Sequence, residues 1–190
     1  LALSPIERMA RRSEYLCEEE TPVILDGENI VFLRPVEKLP AIFTDNEWEE
    51  IRKRHYIHET GFLSNLAPNY YDTIGVGLLE KRKAADEYGK RAIDQIIKLS
   101  DKYLNEAKRQ GRDDLVKVLS QVPRYKARNF QEALQFFRIL HFALWLEGNY
   151  HNTIGHFNKY IYPYLKADIE NELHTEESAL ALLEEFFLSF

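Results

Sequence analysis

The chain has 190 residues, of which 45% are hydrophobic and 13% aromatic, enough apolar material for the core of one domain. Its 31 acidic against 25 basic residues give a formal charge of -6, which excludes a general affinity for nucleic acid or an anionic membrane, since both need a cationic surface. Cys17 is the only cysteine, so a disulfide framework, a CxxC pair and a thiolate metal cluster are excluded; with no membrane-span-length apolar run and no signal-peptide core, the chain reads as soluble and cytoplasmic.

Ser4 and Pro5 open a first helix that runs to about Glu19, with Ser4 as cap and Pro5 where a missing amide costs nothing. Cys17 lies in EYLCEEE, whose carboxylates oppose thiolate formation and argue against a nucleophile. TPVILDGENIVFLRP then places two short β-branched and apolar runs around Asp26-Gly27, which predicts a short β-hairpin near residues 22–33. Thr44 and Glu47 form the sequence pattern of a capping box, so a short helix follows.

Residues 55–68, HYIHETGFLSNLAP, have neither helical nor strand period and read as a structured loop. His55 and His58 sit three apart but lack the HExxH arrangement of a metal site, and surface histidines are expected. From Tyr70 to about Gln110 apolar residues recur at helical spacing, with Gly75, Gly77 and Gly89 able to bend the helix or permit close packing. Lys81-Arg82-Lys83, interleaved with Glu80, Asp86 and Glu87, reads as a solvated helix face. Gly111 closes this helix, and a short one from Asp113 to Leu119 precedes the VPRYKAR connection, where a sub-boundary near 121–129 is expected.

Asn129 caps the next helix, and Glu132 three residues on can satisfy a second amide of its first turn. From Phe136 to Leu146 nearly every position is apolar, so this helix requires protein on all sides. The loop that follows, 147–152, collects Glu147, two amides, a phenol and His151. In a walled pocket Glu147 and His151 can bind or protonate a small polar molecule; alternatively, these groups satisfy the open carbonyls at the helix end. His141, inside the apolar helix, reads as a core histidine donating to a carbonyl, while His156 and His174 show no convergent partner. A helix from Phe157 to Asn171, interrupted near Pro163, and another beginning at the Thr175 cap complete the chain.

Gly75-Val76-Gly77 lacks the third glycine of a nucleotide loop, no GxSxG elbow is present, and the aromatics around Phe136, Trp145 and Tyr160 read as core. The chain begins at Leu1 and stops within ALALLEEFFLSF. The expectation is a piece of something longer, with Phe186, Phe187, Leu188 and Phe190 otherwise facing water.

FQEALQ, an apolar helix, Glu147-Gly148-Asn149-Tyr150-His151 and IGHFNKYIYPYLKADI together resemble the glycyl radical enzymes, the pyruvate formate-lyase-like group. The pattern there is approximately FxEALQ, an apolar helix, E-x-N-G-H-S, GRFDQYxYPYY and a following DI. EEETPVILDGENIVFLR, SNLAPNYYDTIGVGLLE and VPRYKARNFQEAL resemble earlier segments of the same family in the same order. Departures fall at Ser64-Asn65 in place of G-H, His151-Asn152 in place of H-S, and Gly155-His156-Phe157-Asn158 in place of G-R-F-D, so substrate contacts are expected to differ.

The resemblance implies a mainly α fold, the helical N-terminal portion of a glycyl radical enzyme β/α barrel, with residues 1–190 a single incomplete domain. It implies that Asn65, His151 and Asn152 face a substrate cavity and that Glu147 supports them. The family's thiyl cysteine and radical glycine have no counterpart here, and Cys17 does not match the cysteine motif. The implied function is therefore a segment, inactive alone, of a lyase or dehydratase acting on a small polar molecule. No metal or cofactor is implied in this chain; the parent is expected to carry a glycyl radical installed by a radical SAM activase and to work anaerobically, with a homodimer among its possible partners. The competing reading is a non-catalytic helical module that binds a protein partner through exposed apolar surface.

Overall fold

The computed structural model describes residues 3–32, 43–54, 66–146, 148 and 152–190. These form helices α1 (Pro5–Glu19), α2 (Asp45–Arg54), α3 (Tyr70–Val76), α4 (Leu78–Ala84), α5 (Glu87–Arg109), α6 (Asp113–Gln121), α7 (Phe130–Leu146), α8 (Phe157–Glu170) and α9 (Glu176–Leu188). Local chemistry starts them as expected. The Ser4 hydroxyl accepts from the Glu7 amide at 3.3 Å, Thr44 and Glu47 exchange bonds at 2.9 and 3.4 Å, and Thr175 and Ser178 form a reciprocal box.

The expected helix from Tyr70 to Gln110 is instead three helices. Gly77 breaks it at φ 90°, and the amides of Leu78 and Leu79 donate across to the carbonyls of Pro123 and Arg124 at 2.9 and 3.0 Å. Only glycine fits there, because a β-carbon would lie 2.6 Å from the Tyr125 carbonyl carbon. A second break at Ala85 and Asp86 opens α5, whose cap is Asp86 on the Gly89 amide at 2.7 Å. The basic run on α4 is paired rather than merely solvated: Lys81 meets Asp72, Arg82 grips Asp94 at 2.7 and 2.9 Å, and Lys83 meets Glu80 at 2.5 Å.

The expected hairpin is not formed. Among the described residues 22–32 there is a turn at Asp26-Gly27 but no strand pairing, because side chains claim the amides that a ladder would use. Glu28 accepts from the Leu25 amide at 2.6 Å, Glu185 of α9 from Asn29 and Ile30 at 2.6 and 2.8 Å, and Gln135 of α7 from Val31 at 2.9 Å. Residue 33 lies outside the described residues.

α7 is the axis of the fold, as its apolar run requires. One side packs Ala133, Leu134 and Phe137 with Tyr70, Tyr160, Leu182 and Phe186; the other packs Ile139, Phe142 and Leu146 with Phe32, Leu99, Tyr103 and Leu119. The Phe32 ring stacks on Tyr103 at 3.7 Å and meets Phe142 edge-on at 5.4 Å, contacts that hold Phe32 at φ 78°. α1 joins this second group through Leu16 and Cys17 and is tied to α5 by Arg91, which bonds Glu14 at 2.6 Å and Glu7 at 2.8 Å. α8 runs through Pro163 without interruption. Phe186, expected to face water, is fully buried, whereas Phe187, Leu188 and Phe190 are exposed.

Candidate functional site

The start of α7 is anchored by acids placed where the helix dipole favours them. Asn129 accepts from the Glu132 amide at 2.9 Å, as expected. Glu132, buried, reaches back one residue further than the capping-box pattern suggests, to the Arg128 amide at 2.8 Å and the Arg128 guanidinium at 2.5 Å. Asp168 of α8, also buried, accepts from the Phe130 amide at 2.8 Å and joins the two helices. This anchoring fixes the direction in which α7 delivers its far end.

At that end Gly148, at φ 89°, turns the chain, with its amide on the Trp145 carbonyl at 2.9 Å. Of the four site residues expected from sequence, Asn65, Glu147 and His151 lie outside the described residues. Asn152 is half-buried and forms a parallel bridge with Leu66, the residue after Asn65 in sequence; the Thr153 amide completes it on the Leu66 carbonyl at 2.9 Å. The bridge joins the end of the 55–68 stretch to the loop that follows α7. Tyr160 of α8 secures that loop by donating to the Ile154 carbonyl at 2.5 Å. Local sequence patterns treat the two stretches separately; the resemblance implies that Asn65 and Asn152 face one cavity, and the bridge joins Asn152 to the residue after Asn65. His55 and His58 also lie outside the described residues, and among the described residues no group of three His, Cys, Asp or Glu side chains is placed to hold a metal ion.

Arg138 escaped notice in the sequence because it lies within an apolar run. It is 2% exposed on α7, with its Nη1 3.4 Å from His141 Nδ1 and its guanidinium over the rings of Phe142 and Phe190 at 5.6 and 5.7 Å. Burial lowers Arg138 to about 10, leaving it charged at neutral pH. Burial, with the neighbouring Arg138 charge, holds His141 down to about 4, so the imidazole is neutral. His141 thus faces a guanidinium rather than the carbonyl expected for it.

Two concave features lie between the helices. A cavity of about 270 Å³ between α1, α3, α5 and α7 is walled by Cys17, Tyr70, Thr73, Ile96, Leu140 and Ala143. A groove between α8 and α9 is lined by Tyr162, Leu165, Ile169, Leu180 and Leu183. Among the described residues no helix is long and apolar enough to cross a membrane.

Nearly the whole fold recurs in a known enzyme structure. It superposes on a structure described for 1,2-propanediol dehydration in Roseburia inulinivorans with a TM-score of 0.75 at 18% identity, covering 99% of this chain and 33% of that one. The 4-hydroxyphenylacetate decarboxylase glycyl radical subunit of Clostridioides difficile is 38% identical over 80 residues, which is 42% of this chain and 9% of the relative. The (2S)-3-sulfopropanediol dehydratase of Klebsiella oxytoca is 26% identical over 125 residues, 64% of this chain and 15% of the relative. The chain therefore spans only a small part of the length of these curated relatives. Its similarities are to glycyl radical enzymes, in their N-terminal portion. Residues 77–190, more than half of the chain, match the pyruvate formate lyase-like family, and the chain belongs to it.

Proposed function

We propose that this chain forms one wall of the substrate site in a glycyl radical lyase or dehydratase acting on a small polar molecule. The observation that carries the reading is the Leu66–Asn152 bridge, which joins the residue after Asn65 in sequence to the residue after His151, beyond the end of a buried, firmly anchored helix. In the proposed site Asn65, His151 and Asn152 contact the substrate, and Glu147 orients them. A rigid helix behind such a loop holds hydrogen-bonding groups in place without reorganisation during the reaction.

The family's glycyl radical supplies hydrogen-atom abstraction by way of a thiyl cysteine. Cys17 does not fit that role: it is buried on α1 within an apolar cluster and does not match the family's cysteine motif. The wall's contribution is to bind, orient and exclude water. Residues 1–190 then act as a single incomplete domain, inactive alone, and the α8–α9 groove is covered within the larger enzyme. The same reading includes a radical SAM activase, a homodimer and anaerobic use in the cytoplasm.

The test is to express the intact protein anaerobically with a radical SAM activase and to record its electron paramagnetic resonance spectrum. Turnover of 4-hydroxyphenylacetate, (2S)-3-sulfopropanediol and 1,2-propanediol is assayed in parallel. A glycyl doublet and turnover of a small polar molecule are expected; a protein that folds but never yields the doublet overturns the reading.

A further inference from the structure

We propose that Arg138 and His141 form an oxyanion-binding site, filled in the intact protein by a carboxylate or sulfonate group. Arg138 is buried among apolar side chains between α7 and α5, close enough to Tyr103 of α5 to feel its phenol, and its Nε has no hydrogen-bond partner. Among the described residues no carboxylate pairs with it; its contacts are the long approach to His141 and the faces of Phe142 and Phe190. A guanidinium only donates, so His141 Nδ1 must accept, which places the imidazole proton on Nε2 and leaves the ring a donor as well.

The pair is thus one buried positive charge with donors to spare and no acceptor of opposite charge. Such a cation is expensive to keep, because its hydration is lost and nothing replaces it. An oxyanion answers both needs: two of its oxygens match the guanidinium fork, and the flanking rings exclude water and strengthen the attraction. Phe190 covers the pair, with its ring 4.5 Å from that of His141. The oxyanion can come from a bound small molecule or from a side chain elsewhere in the intact protein. Neither source depends on the glycyl radical reading.

Thermal unfolding of the intact protein at neutral pH, as wild type, Arg138→Met and Arg138→Lys, separates the sources. Acetate and methanesulfonate are the probes, with glycerol as the neutral control. If a small anion fills the site, either probe raises the wild-type midpoint by roughly 3 °C or more, glycerol does not, and Arg138→Met abolishes the rise. If a protein carboxylate fills it, the probes do nothing and Arg138→Lys, which keeps the charge, is more stable than Arg138→Met; failure of the methionine variant alone to fold counts the same way. An Arg138→Met protein at least as stable as Arg138→Lys, together with a wild type indifferent to both anions, overturns the proposal.

Discussion

Gln135 and Arg138 stand one turn apart on α7 and are both buried, yet the protein treats them in opposite ways. The Gln135 amide exchanges two bonds with the backbone of Val31, accepting at 2.9 Å and donating at 3.3 Å, so every polar atom it buries is answered. Arg138 buries a full charge against two aromatic faces and one neutral imidazole. The difference separates two uses of buried polarity. Gln135 fixes the course of the segment before residue 33, as a backbone partner would, whereas Arg138 keeps a guanidinium Nε without a hydrogen-bond partner, the feature on which the proposed oxyanion site rests.

The largest effect that can break this contrast is at Gln135 itself. Gln135→Leu strands the buried N–H and C=O of Val31, and urea unfolding is expected to show a loss of about 2–4 kcal/mol; a loss close to zero would erase the distinction from Arg138. Glu185→Ala should cost less, about 1–2 kcal/mol, because the freed amides of Asn29 and Ile30 lie nearer to water. It should also loosen protection of those two amides against hydrogen exchange while leaving Val31 protected.

His141 sharpens the comparison through pH. Its folded value of about 4 lies below the ordinary 6.5, so the unfolded chain takes up the proton first. Stability from this group is complete above pH 6.5 and lost as pH falls toward 4. His141→Gln should flatten the stability profile over that window; an unchanged profile would place the imidazole in a more hydrated setting. The smallest effect belongs to half-buried Glu47, which the Arg8 guanidinium, followed by the Thr44 amide, holds down to about 2. Its contribution is present above pH 4.5 and disappears as pH falls toward 2, so Glu47→Gln should alter only the acid limb, measured by circular dichroism.

What was legible in the sequence is what short-range chemistry decides. Ser4, the Thr44–Glu47 pair, Asn129 and Thr175 cap helices through residues three positions away, and each cap appears where the pattern places it. The hairpin failed because its amides are claimed by Glu185 and Gln135, about 155 and 104 positions further along, which no local pattern reports. The break at Gly77 was hidden likewise: the three glycines looked alike, and only the backbone of Arg124 and Tyr125 lying against one of them makes it indispensable. In the candidate site, family resemblance marked Asn152, but its pairing with Leu66 is a long-range contact. Arg138 passed unseen because an apolar run with one charge still reads as apolar.

The role of the loop after α7 is tested most directly by turnover in the intact, anaerobically activated protein, comparing His151→Ala with His174→Ala after both are shown to fold. His174 bonds Ser178 at the start of α9, so its loss should change kcat/KM by no more than about 2-fold. His151→Ala should lower it by about 100-fold or more, as expected for loss of a group that touches the substrate. Equal activities in the two variants would contradict the placement of this loop against the substrate.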